Sequence, residues 1–249
     1  MTLLGACGGG TASTPEAPQG ATLSAQAALG EKIFSDASLS ASGRQSCASC
    51  HDPAFGHSPP NALAAQLGGA DLDLQGSRKA PGIRYLAANS PFFFAADGTP
   101  PLFTDFSYDN LGLPRNPELV RNGDPTYFDL GLCQRADLAA RGDLCGAFKV
   151  PSLRNVALRQ AYFHNGRFKT LKDALTFYVQ RDTHPERFYP VDGAGGVAKF
   201  DDLPPAYRVN VNTTEAPYNR RPGEAPALSD SEIDDVIAFL KTLSDGYTP

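Results

Sequence analysis

Apolar residues recur at helical spacing in three stretches of the chain. Between residues 24 and 34, Ala25, Ala28, Leu29 and Ile33 form a narrow stripe, and Ser24 stands where a side chain can cap the first turn. In TLKDALTFYVQ, Leu171, Ala174, Leu175 and Tyr178 share one face, with Thr170 as the cap and Asp173 at the capping-box position. From Ser229 onward, Ile233, Val236, Ile237, Leu240 and Leu243 recur behind an S-x-x-E box made by Ser229 and Glu232. No stretch alternates as a half-buried strand would, and no repeat is visible. The pattern predicts a mostly α fold in which helices are separated by long irregular loops.

Composition supports that picture. The 249 residues are 41% hydrophobic, enough to bury a core, while 21 prolines and 24 glycines call for much loop. The residues from Asp52 to Pro101 and from Phe103 to Ala147 are the loop-rich parts, and Pro100-Pro101 marks a junction. The formal charge of -5, with both signs interspersed, argues against nucleic acid as the main partner, because phosphate binding wants a basic face. Met1 is the sole methionine and tryptophan is absent, so an internal methionine ligand and a tryptophan electron relay are both excluded for these residues.

Five cysteines remain to be placed: Cys7, Cys47, Cys50, Cys133 and Cys145. Leu4-Gly5-Ala6-Cys7 is like a bacterial lipobox, in which Cys7 is lipidated, although the apolar run before it is short for a signal peptide. The alternative is a bland N-terminus. Residues 8–21 are rich in Gly, Ser, Thr, Pro and Ala and read as a flexible tether, so a membrane attachment through Cys7 is expected. No segment is long and apolar enough to span a bilayer.

Cys47-Ala48-Ser49-Cys50-His51 is the C-x-x-C-H pattern of c-type haem attachment. The spacing has a chemical reason. Two thiols form thioethers with the two vinyl groups, which fixes one porphyrin edge, and the next residue then lies beneath the iron as an imidazole ligand. Zinc is an alternative, with Cys133 and Cys145 as further ligands, although their spacing of twelve is unlike a second zinc knuckle. A thioredoxin-like dithiol is another, but it wants a βαβ setting that the pattern does not offer.

The surroundings of this motif carry a resemblance. LGEKIFSDASLSASGRQSCASCHDPAFGH resembles the first haem segment of the bacterial dihaem cytochrome c peroxidase and MauG-like family. LFTDFSYDNLGLPRNPE resembles a segment that follows the second haem in one branch, FKVPSLRNVALRQAYFHNGRFKTLKDALTFYVQRD the C-terminal signature, and LSDSEIDDVIAFLKTLS the closing helix. The similarity runs over most of residues 23–245. It implies two cytochrome c-like helical domains, here 22–98 with the haem and 99–249 as the second, preceded by the lipobox-like start and tether at 1–21. It implies a peroxidase-type oxidoreductase that reduces hydrogen peroxide with electrons from a small cytochrome or a cupredoxin.

The chain departs from that family in carrying one CxxCH. FFFAADGTPP and LFTDFSYDN are joined almost directly where the family has a long helical segment with the second CxxCH and the groups near the peroxide site. The resemblance therefore implies one covalent haem c, a second haem absent, and an internal deletion around residues 96–102. Tyr178 stands where the family places the far-side ligand of that second haem; with the haem missing, a core role on an amphipathic helix is the expected one. His57 is the nearest candidate for the sixth position of the iron held by His51, but an open or water-occupied position is favoured. Gln66, Asp71 and Asp73 are weak candidates for the acid-base group that peroxide cleavage wants. Lys79 replaces the asparagine with which some members bind calcium, and a charged ammonium offers no lone pair, so no calcium is expected through it.

Other residues have modest expectations. His164 is expected to hydrogen-bond within the fold and His184 to be solvated. Arg115, Arg154 and Arg167 could meet haem carboxylates, though structural ion pairs are the commoner use. Haem c attachment outside the cytoplasm places the chain in the periplasm, where a Cys133–Cys145 disulfide is the simplest use of that pair. Two functions follow: a peroxide-reducing enzyme, or a single-haem electron carrier or impaired relative.

Overall fold

A computed structural model describes residues 23–84, 104–105 and 107–248. The tether and Cys7, the junction at Pro100-Pro101, the deletion around 96–102 and the expected domain boundary at 98/99 lie outside those residues. The chain divides into two compact units, Met1–Phe34 and Ser35–Pro249.

In the first unit the described element is α1 (Ala25–Ser35), most of which falls there. Ser24 Oγ accepts from the Ala27 amide at 3.2 Å, as the cap requires. The stripe expected to face a core does not: α1 buries none of its residues, and Leu29 and Ile33 are exposed.

The second unit starts with short turns that side chains end and begin. Asp36 caps a helical turn at Ala37–Leu39, the four-residue helix α2 covers Cys47–Cys50, and Asp52 caps another turn at Pro53–Phe55. Two antiparallel ladders of two residues each follow: β1 (Leu67–Gly68) with β2 (Leu74–Gln75), and β3 (Tyr108–Asp109) with β4 (Phe148–Lys149). No strand is expected from the sequence, because two residues cannot display an alternation. Cys133 and Cys145 are joined in a disulfide, with Cα atoms 4.9 Å apart.

The core gathers around α3 (Leu171–Gln180) and α4 (Asp230–Thr242), which pack on each other. Thr170 and Ser229 cap them as expected: each hydroxyl accepts from the amide three residues on, and Glu232 returns a bond to the Ser229 amide at 2.8 Å. Val156, Tyr162, Ala174, Leu240 and Leu243 form one buried cluster, and Leu113, Phe177 and Tyr189 another. Phe163, Phe168, Phe188 and Phe200 close around the second. Arg181, fully buried, ties the end of α3 to the loops: it donates to the carbonyls of Leu111 and Asn212, pairs with Asp182, and lies 4.4 Å from the centre of the Tyr218 ring.

The fold class stands in part. Helices are the longest regular elements, but among the described residues irregular chain and single 3₁₀ turns outweigh them. Prolines and glycines at loop positions, rather than helix-forming runs, set most of the path.

Candidate haem-attachment site

α2 is too short to be stable alone, and its neighbours hold it in place. Ser49 Oγ accepts from the Ser46 amide at 3.0 Å at its start, and the His51 amide reaches Cys47 O at 3.0 Å at its end. Gln45, just before it, donates to Leu67 O at 2.7 Å, which ties the turn to β1. Cys47 and Cys50 are free thiols; Cys47 is exposed, and burial together with the neighbouring Cys47 pushes the Cys50 thiol up.

After His51 the chain curls back on itself. The amides of Asp52 and His57 reach Ser58 O and Asp52 O at 3.0 and 2.8 Å. Gly56 makes the reversal at φ 61°, and a Cβ there would stand 2.6 Å from Asn155 Cβ, so glycine also permits the close approach of the C-terminal chain. The curl delivers His57 O to His51 Nδ1 at 3.2 Å. With its proton on Nδ1 the imidazole donates to that carbonyl, and Nε2 is left as the ligating nitrogen in a fixed orientation.

This places His57 against the rear of the His51 ring, not across from it. The His57 imidazole feels the charges of Arg84, His51, Asp52 and Asp245, and burial is the first cause that draws its pKa down. A residue whose carbonyl lies behind the ligand cannot also reach the opposite face, so the geometry disfavours His57 as a sixth ligand.

The alternatives to haem fare poorly. Cys133 and Cys145 are bonded to each other and so offer no thiolate to a zinc ion held by Cys47 and Cys50. Among the described residues no group of three or more His, Cys, Asp or Glu side chains converges on a metal position. Haem c does fit: two free thiols on one helical turn, an oriented imidazole directly after them, and apolar side chains at the surface of the same stretch. Leu39, Leu63, Leu67 and Leu74 are 68, 44, 40 and 66% exposed, suited to cover a flat macrocycle.

The remaining candidates fall elsewhere. Gln66 is engaged with Asn61 through two bonds of 3.0 Å, and Asp71 and Asp73 are exposed on the turn between β1 and β2. Tyr178 is enclosed between Phe163 and Tyr218, at 5.4 and 6.2 Å between ring centres, and burial first, with Asp109 next, pushes its phenol up to about 12. It is a neutral core phenol, not a ready phenolate ligand. His164 stacks flat on Phe148 with ring centres 3.5 Å apart and faces Asp202. His184 is half-buried and its Nδ1 meets Thr183 Oγ1 at 3.0 Å, which corrects the solvated position expected for it.

The arginines split. Arg115 organises the loop after it, donating to the carbonyls of Asn122, Asp124 and Tyr127. Arg154 and Arg167 are half-buried in the C-terminal signature, and Arg167 lines a shallow cavity of about 320 Å³ with Lys169 and Arg187. Lys79 Nζ donates to Ala80 O. The role of the His57 carbonyl escapes a reading of residue types, although Asp52-Pro53 and Gly56 signal the turn that delivers it.

Comparison with known proteins adds independent support. Residues 24–108 match the family model of the di-haem cytochrome c peroxidases. Methylamine utilization protein MauG of Paracoccus denitrificans is 35% identical over 148 residues, covering 57% of this chain and 35% of that protein. Cytochrome-c peroxidase IdrP2 of Denitromonas iodatirespirans is 29% identical over 116 residues, covering 40% of this chain and 31% of that protein. The chain spans about a third of the length of the curated relatives it matches. The solved structure of the diheme peroxidase BthA from Burkholderia thailandensis superposes with a TM-score of 0.75 at 28% identity, covering 88% of this chain and 86% of that one.

Fold, motif and comparisons together point to one class, the c-type haem oxidoreductases. Within it, these similarities support a member of the MauG-like dihaem cytochrome c peroxidase family, in which the cofactor is haem c.

Proposed function

We propose that this chain reduces hydrogen peroxide to water, taking the electrons one at a time from a small cytochrome or cupredoxin. Cys47 and Cys50 would hold one haem c by thioethers, and His51 Nε2 would ligate its iron. Bound there, the haem supplies a metal that changes oxidation state and a face at which peroxide is reduced.

The chain's own residues do the positioning. The His57 carbonyl fixes the His51 ring and, by accepting from Nδ1, makes Nε2 a better donor. The exposed Cys47 side of the turn leaves an edge at which an electron donor can approach. Two protons must be delivered for each peroxide. Gln66 is occupied by Asn61, and Asp71 and Asp73 lie on an exposed turn, so none of these candidates is positioned as a shuttle. The observation that carries the proposal is the His51–His57 bond, which presents an oriented imidazole beside two free thiols.

One CxxCH in the chain favours a second reading, a single-haem electron carrier or catalytically impaired relative. A periplasmic site, with a lipid tether through Cys7, is part of the proposal; the disulfide supports an oxidising compartment. A pyridine haemochrome assay should give one haem per chain, and reduced cytochrome c should be oxidised on adding peroxide. One haem without turnover leaves the carrier; two haems would overturn the single-haem account.

A further inference from the structure

Beside Gly82 lie donors that the protein itself leaves unused. Ser58 is 1% exposed and its Oγ has no hydrogen-bond partner. Arg159 donates through Nη2 to Ser152 O at 3.0 Å, yet its buried Nε has no partner, and among the described residues it forms no ion pair. Lys79 is close enough to feel the charge of Arg159, and its Nζ has only the Ala80 carbonyl at 3.4 Å. Burial, then that repulsion, push the Lys79 ammonium down to about 8.

Ser58 and Arg159 meet at the bare Cα of Gly82, and Lys79 adds its charge beside Arg159. A Cβ there would stand 2.7 Å from Ser58 Oγ and 3.9 Å from Arg159 Nη2. Two cations and a hydroxyl with donors to spare are a donor set for an oxyanion, and a guanidinium suits a planar carboxylate. The aspartate of this neighbourhood, Asp245, is already committed to Arg84 and Asn155. Ser58 directly follows His57, whose carbonyl orients His51. The oxyanion source carried by the same stretch is therefore the haem, which bears two propionates.

We infer that Ser58, Lys79 and Arg159 form a carboxylate clamp that takes a propionate of the haem attached at Cys47 and Cys50. This rests on the haem reading above. No bond is made or broken; the two cations balance the propionate charge and so favour the ferrous state.

The test uses the matured holoprotein. Resonance Raman reads the propionate bending band, and redox titration reads the midpoint potential. Arg159→Met and Lys79→Met should each shift the band and lower the midpoint at unchanged haem loading, and Arg159→Lys should restore most of both. A band and midpoint that stay in place in both methionine variants overturn the clamp. Acetate and phosphate are then titrated against the unsubstituted protein: no thermal stabilisation is expected. Stabilisation that Arg159→Met abolishes, with the Raman band unmoved, would assign the site to a free anion and overturn the propionate. Should Arg159→Met fail to fold, infrared spectra of unsubstituted protein with isotope-labelled propionates decide: one carboxylate should stay ionised well into acid, and ordinary protonation of both overturns the clamp. A colourless product removes the haem reading and the clamp together, whereas a red product with an unmoved band removes the clamp alone.

Discussion

The stretch that carries Cys47, Cys50 and His51 and the stretch that carries α3 and α4 are held together by different means. In the first, the buried apolar side chains are Pro59, Ala64 and Ala65, the two alanines packing with Leu119, and Leu39, Leu63, Leu67 and Leu74 remain at the surface. Its shape comes from turn-capping aspartates and serines and from backbone bonds across single loops. The second has two clusters, with Phe177 at 0% exposure surrounded by Phe163, Phe168, Phe188 and Tyr189. A region with few apolar contacts of its own is the one suited to receive a large apolar body, while a region with an aromatic centre needs none to pack.

Removing the anchor should have the largest effect on that contrast. Cys47→Ala with Cys50→Ala should leave no haem stain after denaturing electrophoresis and should expose residues 35–84 to limited proteolysis while 108–248 resists. Equal resistance of both stretches would end the contrast. Next comes the aromatic centre: Phe177→Ala should lower unfolding free energy by about 3–5 kcal/mol in chemical denaturation, with haem content unchanged.

The smallest effect is confined to alkali. Tyr178 and Tyr162 are each pushed up to about 12 by burial, from 10.0. For an acid whose folded pKa is raised, the stabilisation is complete below pH 10 and is lost as pH rises towards 12. Each such tyrosine should account for roughly 3 kcal/mol over that window. Tyr178→Phe should leave its own share in place, so the alkaline fall in stability becomes shallower while stability at pH 7 stays close to the unsubstituted value. An unaltered slope would show that the phenol is not enclosed.

What the sequence revealed was chemistry that acts over a few residues. Thr170 and Ser229 mark helix starts because a cap reaches only the amides ahead of it, and CASCH is legible because its function needs consecutive positions. The face of α3 was only partly legible. Of the predicted face only Ala174 is buried outright, with Leu171, Leu175 and Tyr178 half-buried, while Phe177, Val179 and Gln180 are buried too because partners enclose the helix on more than one side. Arg181 reads as a surface charge, and only the distant carbonyls of Leu111 and Asn212 make its burial tolerable. Ser58 and Arg159 stand far apart in the chain, and nothing in their residue types announces that folding brings them together at Gly82, with Lys79 near enough to feel the Arg159 charge.

The bridge between Cys133 and Cys145 bears on how the protein is made. Haem ligation needs reduced sulfur, whereas the bridge needs an oxidant, and one polypeptide must satisfy both. Both bridged sulfurs belong to buried residues, while Cys47 stays at the surface and Cys50 only partly covered. Once the bridge has closed, Cys47 and Cys50 are the free thiols left among the described residues, the pair that the proposed haem attachment needs. The fold thus separates the cysteines by burial: the bridged pair lies inside, and the pair of the attachment motif is exposed or half-buried.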